Sequence, residues 1–216
     1  MSIQNETATL AYTIREAIRA QLLDMYTAMP ARVEKYTPAT QKADVQILLR
    51  KRYQNSEPNE YPVIPSVPVQ WPSAGGGNAY VHLPLKAGDL GVIIVCSRSI
   101  DNWLSGDGQI SSPDNPRHHD LSDSIFIPGV RPFKAVLANV SADNLVIQNN
   151  TLRIELDPSG KISIEGASEE LLTVILGVID HLIGAKVLTA MGPAPFLATT
   201  IADFQQDKSK LETLMP

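Results

Sequence analysis

Two neighbouring stretches concentrate the side chains that could do chemistry. CSRSIDNWLSGDG, residues 96–108, holds a thiol, three serines and two aspartates. PRHHDLSDSIFIPG, residues 116–129, adds two adjacent histidines and two more aspartates. Ser97, Ser99 or Ser105 could act as a nucleophile with His118 or His119 as its base. No Gly-x-Ser-x-Gly elbow surrounds any of these serines. Asp101, Asp107, Asp120 and Asp123 could form an acid/base pair of the glycosidase kind. All four lie in loop-like sequence, where aspartates commonly accept backbone N–H groups and fix turns. His118-His119-Asp120 suggests a metal only weakly, because adjacent side chains rarely converge on one ion and no third ligand stands at a recognised spacing. A single ligand completed across a threefold axis stays open. The residues therefore point to a braced connection. In that reading Trp103 fills an apolar hollow with Leu104 beside it, Gly106 and Gly108 allow turns, and Asp101 caps the loop backbone.

The chain that must position these residues has 216 residues, a net charge of -5 and 44% hydrophobic residues. That suffices for one sizeable core or a small domain with extensions. Apart from Arg50-Lys51-Arg52 the cations are scattered, so no broad basic face marks a nucleic-acid ligand. The single cysteine excludes an internal disulfide framework. Cys96 follows the apolar run Val92 to Val95, where a free thiol behaves as a small hydrophobe. The polar stretch Ser2 to Thr9 lacks the pattern of a secretory signal, so synthesis in the cytoplasm is expected.

The chain falls into four segments of different hydrophobic rhythm. Over residues 8–29, Ile14, Ile18, Leu22, Met25 and Met29 recur at helical spacing, and Pro30 marks the end. One apolar stripe results, to be covered by the following domain or by another subunit. From Ala31 to about Pro132, short strand patterns at 32–36, 43–49, 67–71, 80–83 and 89–95 alternate with Pro- and Gly-rich connections, the pattern of a small closed barrel of OB type. The segment Ser56 to Pro68, with four prolines, reads as an extended excursion. Gly75-Gly76-Gly77 is a turn without the lysine of a phosphate loop.

Residues 139–166 alternate again. Leu152, Ile154, Leu156, Ile162 and Ile164 line one face, opposed by Arg153, Glu155, Lys161, Ser163 and Glu165. Three such strands cannot make a core alone, but three chains wound about one axis can share one. From Ser168 the pattern is helical, with Leu171, Ile175, Val178, Leu182 and Ala185 on one seam and Leu172, Leu176, Ile179 and Ile183 on the next. Residues 171–190 approach the length of a membrane span. Asp180, His181 and Lys186 lie inside them, which favours a bundle core in an oligomer, or a transient contact with a partner protein or lipid. A shorter returning helix is expected over residues 199–214.

DLGVIIVCSRSIDNWLSGDG followed by PRHHDLSDSIFIPG resembles the N-terminal domain of phage baseplate central-spike proteins, the Gp138-like membrane-puncturing family of contractile tails. ARVEKYTPATQKADVQILLRKRY and VPVQWPSAGGGNAYVHLPLKAGDLG are similar to its barrel strands. The resemblance runs from about Pro30 to Pro132, with a weaker likeness in NLVIQNNTLRIELDPSGKISIEG. It implies an OB-like collar (30–138) and a short intertwined trimeric β-prism (139–167). With the helical patterns read above, a mainly β chain with helical termini is expected, an amphipathic docking helix (1–29) in front and a C-terminal helical region (168–216) behind. It implies no catalytic residue, metal or cofactor. Arg98, Asp101, Asn102, Trp103, Asp120, Leu121, Asp123 and Pro128 become framework positions of the collar.

The partners implied are two further copies of the chain, tail hub or tube proteins above, a separate spike-tip protein below, and transient contact with the host envelope. Sequence-specific nucleic-acid binding is not expected. The chain would be made in the host cytoplasm and incorporated into the tail baseplate. After Gly166 it departs from the longer spikes, which continue as β-helix toward a tip. Here helices follow, and no His-x-His motif is present. An OB-type module for nucleic acid or carbohydrate and an envelope-degrading enzyme are the rival readings.

Overall fold

The computed structural model describes residues 9–51 and 57–215. Residues 2–8 of the polar N-terminal stretch, Arg52 and Ser56 lie outside them. The chain is mainly β with C-terminal helices and divides into two compact units, residues 1–136 and 137–216.

The first unit opens with α1, Leu10–Leu23, started by Thr9, whose hydroxyl accepts from the Tyr12 N–H at 3.3 Å. None of its side chains is buried. The helix is shorter than its periodicity predicts. Asp24 closes it, Met25 stands exposed in the following turn, and Met29 is a buried strand residue. The reason is local: from Ala28 the chain pairs with a neighbouring strand, Ala28 opposite Ile94 and Pro30 opposite Val92. A proline early in a strand loses only one ladder donor, and the Pro30 carbonyl still accepts from Leu48 N–H at 2.9 Å.

That strand is β1, Ala28–Thr37. Next come β2 (Lys42–Ile47), the short pair β3 (Arg50–Lys51) and β4 (Asn59–Glu60), β5 (Ile64–Pro68), and the hairpin of β6 (Ser73–Ala74) and β7 (Ala79–Tyr80). Strand β8 (Leu90–Val95), the one-turn helix α2 (Asp101–Ser105) and β9 (Ser124–Pro128) complete the unit. Five strands form one antiparallel sheet in the order β5-β2-β1-β8-β9. It curls until its edges meet at a parallel bridge between Val69 and Phe126, where Gln70 N–H donates to the Phe126 carbonyl at 2.9 Å. Alternation places Ala31, Val33, Ala43, Val45, Ile93 and Phe126 inside, each fully buried. The proline-rich excursion does contribute a strand, but β5 is an edge of the sheet, where Pro65 and Pro68 are tolerated. An extra residue near Ser66 (φ +58°) bulges β5, and the freed Ser66 N–H donates to Asp44 Oδ1 at 2.9 Å. Gly91 lies in β8 above Phe126, and a Cβ there would meet Ile127 O at 2.4 Å.

In the second unit β10 (Leu145–Asn149), β11 (Leu152–Leu156) and β12 (Ile162–Glu165) form an antiparallel meander. Helix α3 spans Leu171–Gly184. Its cap is Glu170, two residues beyond the serine expected to start it. Burial alone would raise the Glu170 pKa, yet the N–H groups of Thr173, Leu172 and Ile164 hold it below the ordinary range. The helix also ends early: Lys186–Thr189 (β13) and Gly192–Pro195 (β14) form a hairpin before α4, Ala198–Glu212. Lys208 on α4 pairs with Asp180 on α3 at 2.7 Å, which explains an acid in an otherwise apolar helix. At about 1.5 Å per residue α3 is roughly 21 Å long, short of a bilayer core. Among the described residues no helix is long and apolar enough to cross a membrane.

Candidate functional site

The polar loops of the first unit converge on Asp123, whose side chain is fully buried. Asp120 starts a short 3-10 turn by accepting from Ser122 N–H and Oγ, at 2.9 and 2.7 Å. These two bonds, the hydroxyl's above all, hold its carboxyl below the usual aspartate range. The turn aims Asp123 beneath the 96–101 segment, where Oδ1 accepts from the Ile100 N–H at 3.1 Å. Arg117 then bridges two carboxylates, donating to both oxygens of Asp123 at 3.2 Å and to Asp101 Oδ2 at 2.6 Å. Its Nη2 also donates to Ser99 Oγ at 3.2 Å. Contact with Asp123 and then Asp101 keeps the guanidinium charged well beyond its ordinary range.

Most of the groups that could have reacted are tied to the loops. Ser105 donates to the Asp101 carbonyl, and Asp107 accepts from Gln109 N–H. His119 Nδ1 lies 2.9 Å from the Tyr26 carbonyl and His118 Nδ1 3.4 Å from that of Pro116. Burial, and then the nearby Asp123 charge, push the Cys96 thiol pKa up, away from nucleophilic thiolate. Among the described residues no group of three or more His, Cys, Asp or Glu could hold a metal ion.

The framework residues named from the resemblance divide. Asp101, Asp120 and Asp123 belong to this brace, Leu121 packs against the core of the curled sheet, and Pro128 closes β9 opposite Gly91. Asn102 ties the loop by donating to the Ser112 carbonyl at 2.9 Å. Trp103 fills no hollow: α2 is a single turn on the surface, and Trp103 is 50% exposed with Leu104 exposed beside it. Asp101 is not the backbone cap either; Asp123 accepts the N–H that the loop offers. Arg98 is exposed and donates only to its neighbour Ser97's carbonyl. The residue that reading the sequence missed is Arg117. Its signal was the one arginine between Asp101 and Asp123, a stretch that holds five aspartates.

The second unit carries a different arrangement. Leu145, Leu156 and Ile162 form one cross-strand row and Ile147, Ile154 and Ile164 the next, all on one face. Leu145 and Ile147 are 60% and 59% exposed, and Leu152 and Leu156 are exposed too. Across the sheet Arg153 pairs with Glu155 at 2.8 Å, both largely sheltered, and Ser163 is buried. Ile154, Ile162 and Ile164 are half-buried, so the lone chain covers its apolar face only in part. On α3, Leu172 is buried while Leu171, Ile175, Val178 and Leu182 remain exposed. Ile14, Ile18 and Leu22 on α1 are exposed as well.

Residues 29–129 match the family described as the phage protein Gp138 N-terminal domain. The match begins one residue into β1 and ends one residue after β9, so it covers the curled sheet together with the Arg117 brace. That segment is phage-related, and the match does not extend to the second unit. No curated protein matches the chain.

Proposed function

We propose that this chain is a structural component of a phage tail baseplate: a homotrimeric hub adaptor or central spike that transmits force when the host envelope is breached. The first unit serves as an OB-type collar, and residues 139–167 wind into a short three-chain prism. The observation that carries this reading is the second unit, where Leu145, Ile147, Leu152, Leu156 and the outer α3 seam are exposed in the single chain. Burying such surface between copies contributes roughly 25 cal/mol per Å² before the costs of association. Helix α1, with Ile14, Ile18 and Leu22 unpacked, is the contact with tail hub or tube proteins. The α3–α4 region holds a separate tip protein or joins a bundle. The chain is made in the host cytoplasm and incorporated into the tail, and its action is mechanical, without a cofactor.

Light scattering on the purified, full-length chain tests the assembly. A mass of three chains is expected, and a well-folded monomer at high concentration would refute the shared core.

A further inference from the structure

We infer that the first unit carries a binding groove for a neutral glycan, independent of the trimer. The groove encloses about 520 Å³, within the range of small-ligand sites. Trp71, 9% exposed, lines it at the end of the β5 segment. Around it stand Gln41 from the β1–β2 turn, Gln70, and Ser73, Tyr80 and His82 from the β6–β7 hairpin and its continuation.

Three observations point to a ligand and to its class. First, Trp71 Nε1 is a buried side-chain donor without a partner, and among the described residues no other buried side-chain N or O atom lacks one. Such a donor is costly unless something accepts from it. Second, the lining is charge-free. No Lys or Arg is there for a phosphate backbone, and no Asp or Glu for a cation. Two amides, two hydroxyls, an imidazole and aromatic rings are the set that pairs with a polyhydroxylated ring. Third, the walls are pinned. Val69 N–H donates to the Gln41 carbonyl at 3.0 Å and Val81 N–H to that of Pro72 at 2.9 Å. The Tyr36 hydroxyl lies 3.2 Å from His82 Nε2, and the His82 and Trp71 rings sit 4.7 Å apart. A site held this way loses little freedom when a ligand arrives. Gly77 (φ +89°) lines the groove, and a Cβ there would meet nothing within 4 Å.

The chain has two tryptophans, so in full-length Trp103→Phe protein the emission reports Trp71 alone. Triacetylchitotriose, maltotriose and oligothymidylate are titrated at low and high salt. Saturable change with either trisaccharide, insensitive to salt, is expected. It should weaken about tenfold in Tyr80→Ala and in Gln70→Ala, both exposed positions whose loss leaves thermal unfolding unchanged. No saturable response to either sugar overturns the proposal. So does a response that both variants retain in full, or a salt-sensitive response to oligothymidylate alone. The mass of the assembly does not bear on any of these outcomes.

Discussion

Arg117 grips Asp123 with two parallel hydrogen bonds, Nε to Oδ2 and Nη2 to Oδ1, each 3.2 Å long. Asp123 has no access to water, and its remaining donor is the Ile100 N–H. Removing the arginine therefore leaves a carboxylate buried with half its partners gone. Arg117→Ala should be clearly destabilising, as is usual when a buried charge loses its partner. Asp123→Asn keeps an acceptor for Ile100 and should cost less, about 1–2 kcal/mol. Urea unfolding of both variants in the Trp103→Phe background, followed by Trp71 emission, measures both; equal losses would mean that the ion pair adds nothing beyond hydrogen bonding.

Acid should weaken the fold through identifiable groups. The carboxyls of Asp120, Glu155, Asp157 and Glu170 are all held below their ordinary values, chiefly by donors from Ser122, Asn144, Ser159 and the α3 N-terminus respectively. A depressed pKa contributes stability that is complete above the unfolded value, about 4, and is lost as pH falls through the folded one. Thermal stability should thus be level from about pH 5 to 8 and fall below about pH 4. Ser122→Ala should lower the plateau and flatten the acid limb of the first unit. An unchanged acid limb in that variant would remove Asp120 from the explanation.

Gly91→Ala tests the closest approach in the curled sheet. The added methyl meets Ile127 O and the Phe126 ring at 2.4–2.8 Å, so backbone or ring must move. A loss of about 2–3 kcal/mol is expected from overpacking of this kind. A thermal melt within a degree of the parent would show that the strand yields freely.

The two seams of α3 should behave oppositely. Val178, 53% exposed in the single chain, has nothing to lose within it. Val178→Asp should leave circular dichroism intact and reduce the mass of the assembly. Leu172→Ala empties a buried position and should cost about 2–4 kcal/mol. If Val178→Asp retains the parent mass, the exposed seam is not an interface between copies.

Deleting residues 1–23 removes α1, which buries no side chain. The stability of the curled sheet should change by less than about 0.5 kcal/mol. Incorporation into tails should nevertheless fail. Particles that take up the truncated chain normally would strip α1 of its docking role.

Much of the architecture was legible because the period of two is a direct image of a half-buried strand. Ala31/Val33 and Ala43/Val45/Ile47 are buried as their alternation requires. The C-terminal seams were readable for the same reason, at helical period. What failed was local competition. Met29 fits the helical stripe, but pairing of Ala28–Arg32 with β8 outweighs one more helical turn. Trp103 suggested a core plug, yet a one-turn helix held by Asn102 and Ser105 leaves it at the surface. The brace was half visible. Its aspartates stood out by type, whereas Arg117 acquires meaning only when the 3-10 turn brings Asp123 beneath it. The groove around Trp71 was not visible at all, since it gathers the β1–β2 turn, the β5 end and the β6–β7 hairpin from separate places.

The curled sheet is laced unevenly. β1 meets β2 and β8 along five or six paired residues each, and β8 meets β9 along five. Among the described residues the two edges share backbone pairing only at the Val69–Phe126 bridge and the adjoining bond from Gln70. A ring with one short clasp has a defined rupture point. Pulled apart, it unzips between Gln70 and Phe126 while the long ladders, loaded in shear, still hold. A tail component built on this unit would give way by opening a gap beside Trp71 rather than by unravelling from either end.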